Sequence, residues 1–490
     1  MSAALGADTL GSSSTAVGYQ ALQSQNFTTA TDSYNTAVGV NAGKAVTVGQ
    51  LNTIVGALAG DALTSGGDNV AIGYSALSAE DGHGLNVAVG SQALRVQNAG
   101  ANAYNVAVGY NAGGAVSTGT ENTFIGGLAG DAITTADANT VVGMNALTSD
   151  TLGSRSVAVG TGALNEQNFT TATNTYNVAM GYVTGNKITT GVNNTLIGGL
   201  SGDAMTDADS NVAVGYNSLS TNTIGSLSVA IGTGALFAQN PSTATNMYNT
   251  AVGYDAGNGL TTGTFNTFIG AEGGLAACTG DVNTAVGYGA GQVITSGSSN
   301  TCVGDRAGFA LTTGSNNLFL GNDTGRSGSP GGQFAASSNT IVLGDENISQ
   351  CFIQVDWTVS SDERDKTEFS ELDLGLDFVK ALEPVTYYWD KRSKYGDKTA
   401  DDYDLDAQTP DGTHKEDWMD VGFKAQAVQA LEEAAGYKAT DKKNLTVSLG
   451  EDGKQLGLQY GKFVPILVKA IKDQDAIITA LTARVAALES

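Results

Sequence analysis

A glycine recurs about every seventeen residues through the first two thirds of this chain, and that period excludes most ways of folding it. Nineteen such glycines run from Gly18 to Gly344, each closing a short apolar phrase such as Asn35-Thr36-Ala37-Val38-Gly39. The commonest spacing is 17 residues; it lengthens to 21, 19, 21 and 21 after Gly18, Gly90, Gly160 and Gly232, and to 23 before Gly344. Every fourth interval therefore carries an insertion, and a longer period of 72, 70 and 72 residues results. A fixed period of this kind means that each unit packs only on its neighbours. Seventeen residues are too few for a pair of helices and suit one coil of two short strands and two turns. The alternation is expected to send one apolar side chain inward per strand, chiefly Val and Ile beside Ala and Gly. Glycine and asparagine supply the turn conformations with positive φ. The inserts resemble one another, running from Gln25-Asn26-Phe27 to Tyr34-Asn35 in the first cycle and from Gln167-Asn168-Phe169 to Tyr176-Asn177 in the third. Their aromatics, Phe27, Tyr34, Tyr104, Phe169, Tyr176 and Tyr248, are read as local packing, with surface binding as the alternative.

Composition narrows the function. The 490 residues carry a net charge of −25, which argues against nucleic acid, whose phosphates reward Lys and Arg. Only 6 of the 23 basic residues precede position 357, so the last part of the chain is a different kind of protein. No run of about 18 apolar residues is present, so no membrane-spanning helix is expected. No basic and apolar leader is visible at the start. Cys278, Cys302 and Cys351 lack paired or metal-type spacing and are expected to be buried free thiols. His83 and His414 stand too far apart to suggest a metal or a triad. Asp207-Ala208-Asp209 is a weak calcium pattern. The glycine-rich turns lack the Gly-Lys-Ser/Thr of a phosphate loop. No cofactor and no metal is expected.

Beyond the repeat, Cys351 to Val355 reads as a strand-like link, Leu372 to Leu382 as a short helix, and Pro384 to Trp389 as a strand. Residues 391–420 read as a polar loop, and Val421-Gly422-Phe423 leads into an Ala-rich helix ending near Gly436. The last thirty residues carry a heptad. Val464, Leu467, Ile471, Gln474, Ile478, Leu481, Val485 and Leu488 alternate steps of three and four, an a/d seam with Gln474 as its polar position.

The recurring phrase "NTAVGYNAG" resembles the repeats of trimeric adhesin heads and bacteriophage tail-fibre stalks. That resemblance implies a trimeric left-handed parallel β-roll over about residues 11–345. The phrases "SDERDKT", "LGLDFVKALEPVTYYWD", "VGFKAQAVQAL" and "YGKFVPILVKAIK" resemble the intramolecular chaperone domain of phage tail fibres and tailspikes, the S74 peptidase family. The likeness covers about residues 357–490. It implies a domain that trimerises the fibre, helps it fold and, in many members, then cuts itself off. The family's Ser and Lys map onto Ser361 and Lys366. Asp365 stands where leucine is common in the family, and Ala427 where glutamate often follows the glutamine. A serine hydroxyl needs a base, and a lysine serves as one only when burial lowers its pKa. A site assembled between three chains would tie cleavage to assembly. The bond cut beside Ser361, before or after it, is left open.

The expected architecture is mostly β: a trimeric parallel β-solenoid rod, then a small α+β chaperone domain ending in a trimeric coiled coil. Its segments are an attachment piece at 1–17, a stalk at 18–345, a linker at 346–360 and the chaperone domain at 361–490, with the coiled coil at 464–490. The expected function is a homotrimeric virion fibre that attaches to a host cell. Its partners would be other tail proteins or an adaptor at the N-terminus and a host receptor, with polysaccharide as one class. Autoproteolysis by Ser361 and Lys366 is the one enzymatic activity implied. A bacterial surface adhesin and a carbohydrate-degrading tailspike are the alternatives.

Overall fold

The computed structural model describes residues 4–354, 357–397, 403–441, 443–451 and 453–489. Parts of the expected segments 1–17, 346–360 and 391–420, Val355 of the expected link, and the end of the expected coiled coil at 490 lie outside these residues. The chain divides into two units, Met1–Asn300 and Thr301–Ser490.

In the first unit the repeat forms a parallel β-solenoid. Three-residue strands from Thr15–Val17 to Thr284–Val286 stack in an open ladder, and each central residue lies over the next, as in Ala37↔Ile54, Ile54↔Ala71 and Ala71↔Ala88. Each ordinary coil has one such strand rather than two. The rest of the coil is turns, because its corners hold residues with positive φ, such as Leu22 (49°), Asn41 (59°) and Gly43 (56°). Three of the longer coils add a second, two-residue pairing, Gly11–Ser12 with Thr31–Asp32, Gly153–Ser154 with Thr173–Asn174, and Gly225–Ser226 with Thr245–Asn246, and two ordinary coils share the isolated bridge Leu260–Cys278. The inward residue is the middle one, mostly Ala, while the Val and Ile on either side face outward. The expectation of Val and Ile inside is corrected on this point, since a three-residue strand has one inward position and the coil has room there for alanine.

The four-coil period has a packing cause. In two coils of each four, a buried Leu such as Leu22, Leu77 or Leu94 fills the corner four residues after the marker glycine. Every fourth coil reverses this arrangement. Ile54, Phe124, Leu196 and Phe268 are fully buried, and the corners beside them are glycines. A Cβ on Gly113 would stand 2.8 Å from the Phe124 ring, and one on Gly130 would also meet it. One large side chain thus occupies the volume that leucines occupy elsewhere. Phe124→Ala is expected to cost about 3–5 kcal/mol, because its glycine neighbours have no side chains to close the cavity. Denaturant melting of the variant checks this.

A buried asparagine ladder runs beside the core. Asn194 donates from its side chain to the carbonyl of Ala208 (2.8 Å), its backbone N–H donates to Asn177 Oδ1 (2.9 Å), and its own Oδ1 accepts from the N–H of Asn211 (3.0 Å). Ser156 interrupts the ladder, and Asn177 resumes it by donating to Gln167 Oε1 (2.9 Å). Gln167 in turn donates to the buried Asp150 (2.6 Å), whose carboxyl is pushed up chiefly by desolvation. Asn194→Ala leaves a carbonyl and an N–H unpaired in a dry interior, each costing about 1–3 kcal/mol. The expected result is a lower melting temperature with the strand content retained.

The second unit begins with three further strands, Thr301–Val303, Leu318–Leu320 and Ile341–Leu343, paired in parallel. The 23-residue interval inserts a loop whose Phe334 packs on Phe319, with ring centroids 5.8 Å apart. Cys351 to Gln354 is exposed and forms no strand, so the expected strand-like link is not seen in its described part.

The remaining core of this unit gathers Leu374, Phe378, Val428, Val447, Phe463 and Ile466. Helix α1 (Leu376–Ala381) starts only after Gly375, which has no side chain to cap it. Asp473 from a distant helix caps it instead, accepting from the N–H of Leu376 at 3.2 Å. Strand Val385–Tyr387 pairs antiparallel with Asp420–Gly422. Helix α2 (Ala425–Ala434) buries Val428 and Glu432. The Glu432 carboxylate accepts from both the N–H (2.6 Å) and the hydroxyl (2.5 Å) of Thr446, which anchors the hairpin Val447–Leu449 with Leu456–Leu458. Helix α3 spans Phe463–Glu489. Pro465 is tolerated there because the first turn needs no N–H donors.

Candidate processing site and oligomer seam

The segment 360–370 has no regular structure except one 3₁₀ turn, Glu363–Asp365. Asp362 caps the turn by accepting from the N–H of Arg364, and the Arg364 guanidinium grips the same carboxylate (2.6 Å). This side-chain pairing holds the Asp362 carboxyl below the usual carboxylate range. The turn reverses the chain so that position 366 returns beside position 361. Lys366 Nζ lies 2.6 Å from Ser361 Oγ and 3.2 Å from the Ser361 carbonyl oxygen. The two residues singled out in the sequence are thus brought together.

Within one chain both remain exposed to solvent. A lysine acts as a base only in its neutral form, and water around the ammonium opposes that form. The geometry of a Ser–Lys pair is present, but the covering that would activate it is not supplied by the same chain. Four large apolar side chains nearby in sequence are also exposed. Phe352 is 91% exposed, Trp357 74%, Val359 81% and Phe369 68%.

A second unpartnered surface lies on α3. Phe463, Ile466 and Ala470 are the buried residues of this helix. The heptad residues lie on an adjoining face: Val464, Leu467, Ile471, Ile478, Leu481, Val485 and Leu488 are all exposed. From Ile471 onward no described residue of the helix is buried.

Residues 361–437 match the family model Peptidase S74, described as chaperone of endosialidase. The C-terminal region carries an S74 chaperone domain. The match begins at Ser361 itself and covers the Ser–Lys pair, α1 and α2. No curated protein and no solved structure matches the chain. The S74 chaperone domain after a parallel β-solenoid fits a phage tail-fibre or endosialidase-like protein.

Other sequence readings resolve unevenly. Cys278 and Cys302 are buried, and burial pushes the Cys302 thiol up to about 12. Cys351 is exposed, contrary to expectation, because the link that carries it packs on nothing. Asp209 braces its neighbouring coil by accepting from the N–H of Val192 (2.7 Å). Of the insert aromatics, Phe27 and Phe169 are buried, whereas Tyr34, Tyr104, Tyr176 and Tyr248 are exposed. His83, read as isolated, stands in a cluster with Glu80 and Asp81. The histidine-to-histidine distance in sequence gave no view of the carboxylates two and three residues before it. No helix among the described residues is long and apolar enough to cross a membrane.

Proposed function

We propose that this chain is the subunit of a homotrimeric phage tail fibre that attaches the virion to its host. Its C-terminal domain brings three chains into register and then releases itself by cutting beside Ser361. The exposed heptad seam of α3 carries this reading. Most of a helix's stability in a protein comes from packing its amphipathic face, and the apolar seam of α3 needs partners to supply it. Three copies of one chain supply identical seams in register. The outward Val, Ile and Met column of the solenoid strands is exposed at Val38, Ile72, Val108 and Met180 and half-buried at Val55, Val89 and Val142, and runs the length of the first unit. Side-by-side packing of three coils would cover it.

Closure of three chains around 350–370 would also remove water from Ser361 and Lys366. The neutral Lys366 amine then takes the Ser361 Oγ proton while Oγ attacks a peptide carbonyl. The C–N bond breaks as the Lys366 ammonium returns that proton to the leaving amine, and water hydrolyses the resulting ester. The preceding carbonyl is within reach of Oγ through a five-membered ring, whereas cutting after Ser361 requires the serine of another chain. The two products differ by one serine, so intact mass distinguishes them. The reading as a whole is tested by cross-linking the purified chain of 49.6 kDa to completion. Convergence on a band of three chains supports it, and a limit at one or two chains rejects it. Attachment is tested separately by binding of the purified fibre to host cells, with receptor and adaptor sought as co-purifying partners.

A further inference from the structure

The second insertion cycle breaks the repeat at one turn, and the substituted residues cluster. In the other cycles this turn reads Asp8-Thr9-Leu10-Gly11, Asp150-Thr151-Leu152-Gly153 and Asn222-Thr223-Ile224-Gly225. Here it reads Glu80-Asp81-Gly82-His83. The sister turns form one bond in common: the glycine N–H donates to the first side chain, at 2.9 Å for Asp8, 3.0 Å for Asp150 and 3.0 Å for Asn222. His83 N–H keeps that bond to Glu80 Oε1 at 3.2 Å, so the backbone is conserved while the side chains change.

The changes are concerted. In the sister turns the short acid or amide lies against the glycine, where a Cβ would collide with it. The extra methylene of Glu80 accompanies an imidazole at that glycine position. Threonine becomes the exposed Asp81, which adds a second carboxylate. The aliphatic residue becomes Gly82, where an added Cβ would meet only Ser65 Oγ, 3.6 Å away, so the site opens outward. The two-residue strand pairing found at the other three turns is absent here among the described residues.

The ligand atoms of Glu80, Asp81 and His83 all lie within 4.8 Å of one another. Nδ1 of His83 is buried and makes no hydrogen bond among the described residues, although it stands 3.3 Å from Glu80 Oε1. That separation is the edge of a tetrahedron of donors about 2.0 Å from a central ion. The Glu80 side chain is fully buried, so its charge calls for compensation. One imidazole and two carboxylates form a mixed N/O set that suits a divalent first-row ion and leaves a position open.

We propose that Glu80, Asp81 and His83 bind one divalent transition-metal ion per chain, of the zinc class. The test titrates Zn²⁺ into the metal-free full-length protein against a chromophoric chelator. The expected result is one ion per chain, with affinity falling more than about 100-fold in His83→Gln, beyond the roughly 10–100-fold loss that a merely supporting partner causes. Because His83→Gln also alters the turn, a second variant, Glu80→Asp with Asp81→Thr, Gly82→Leu and His83→Gly, restores the sister sequence Asp-Thr-Leu-Gly, which this backbone already accommodates twice. That variant should melt with the parent and lose the ion. Absence of binding to the parent, or equal binding by both variants, would overturn the proposal and leave Glu80 and His83 as a simple ion pair.

Discussion

Ile471→Asp combined with Ile478→Asp is expected to abolish assembly and leave the solenoid without a soluble folded form. Both residues are exposed in the single chain and lie on the α3 seam. Fully burying each apolar seam residue stabilises a partnered state by about 1.5–3 kcal/mol. Seven such residues per chain amount to a term on the order of 10 kcal/mol, which two carboxylates at neighbouring core layers would remove and oppose by desolvation. The pair of substitutions touches nothing buried within the chain, so an effect on folding would arise through lost partners. Gln474, between them, is also exposed, and Gln474→Leu is the contrasting variant: it should keep assembly and loosen its stoichiometry. Size-exclusion chromatography of the soluble fraction reads both variants.

Ser361→Ala is expected to abolish release of the C-terminal fragment while leaving the assembled particle intact. Lys366→Arg should do nearly the same. Arginine keeps the charge but stays protonated, so it cannot accept the Oγ proton, and general-base help of about 10²–10⁴-fold is lost. Asp362→Ala probes the turn: it removes the cap and the Arg364 grip without touching the reacting atoms, and should slow release to a lesser degree. Intact mass over a time course separates the three variants. Release that persists in Ser361→Ala would transfer the chemistry to another residue.

Much of the solenoid was legible because its signal is a period. Nineteen glycine markers fix coil length, and period alone carries the parallel ladder. What the period could not show was direction. A three-residue strand offers one inward position, and the sequence presents Val-Ala-Val without saying whether alanine or valine takes it. The compensation between Phe124 and the glycines around it required three dimensions, since Gly113 and Gly130 lie in adjoining coils. The proximity of Ser361 and Lys366 came from a family likeness, and the Asp362 cap supplies its physical cause. The two faces of α3 were half legible: the heptad marked the exposed seam, but Phe463, Ile466 and Ala470 on the buried face follow no separate pattern. The Glu80-Asp81-His83 cluster was visible as a departure from the sister cycles, a signal available once the four-coil unit is aligned on itself.

The central claim is that one chain is incomplete and three make the functional object. Multi-angle light scattering on the purified full-length Ser361→Ala protein, which is expected to retain its C-terminal domain, measures this directly. The expected result is a single particle of three times 49.6 kDa across the elution peak, unchanged on tenfold dilution. A monodisperse, folded particle of 49.6 kDa would contradict it.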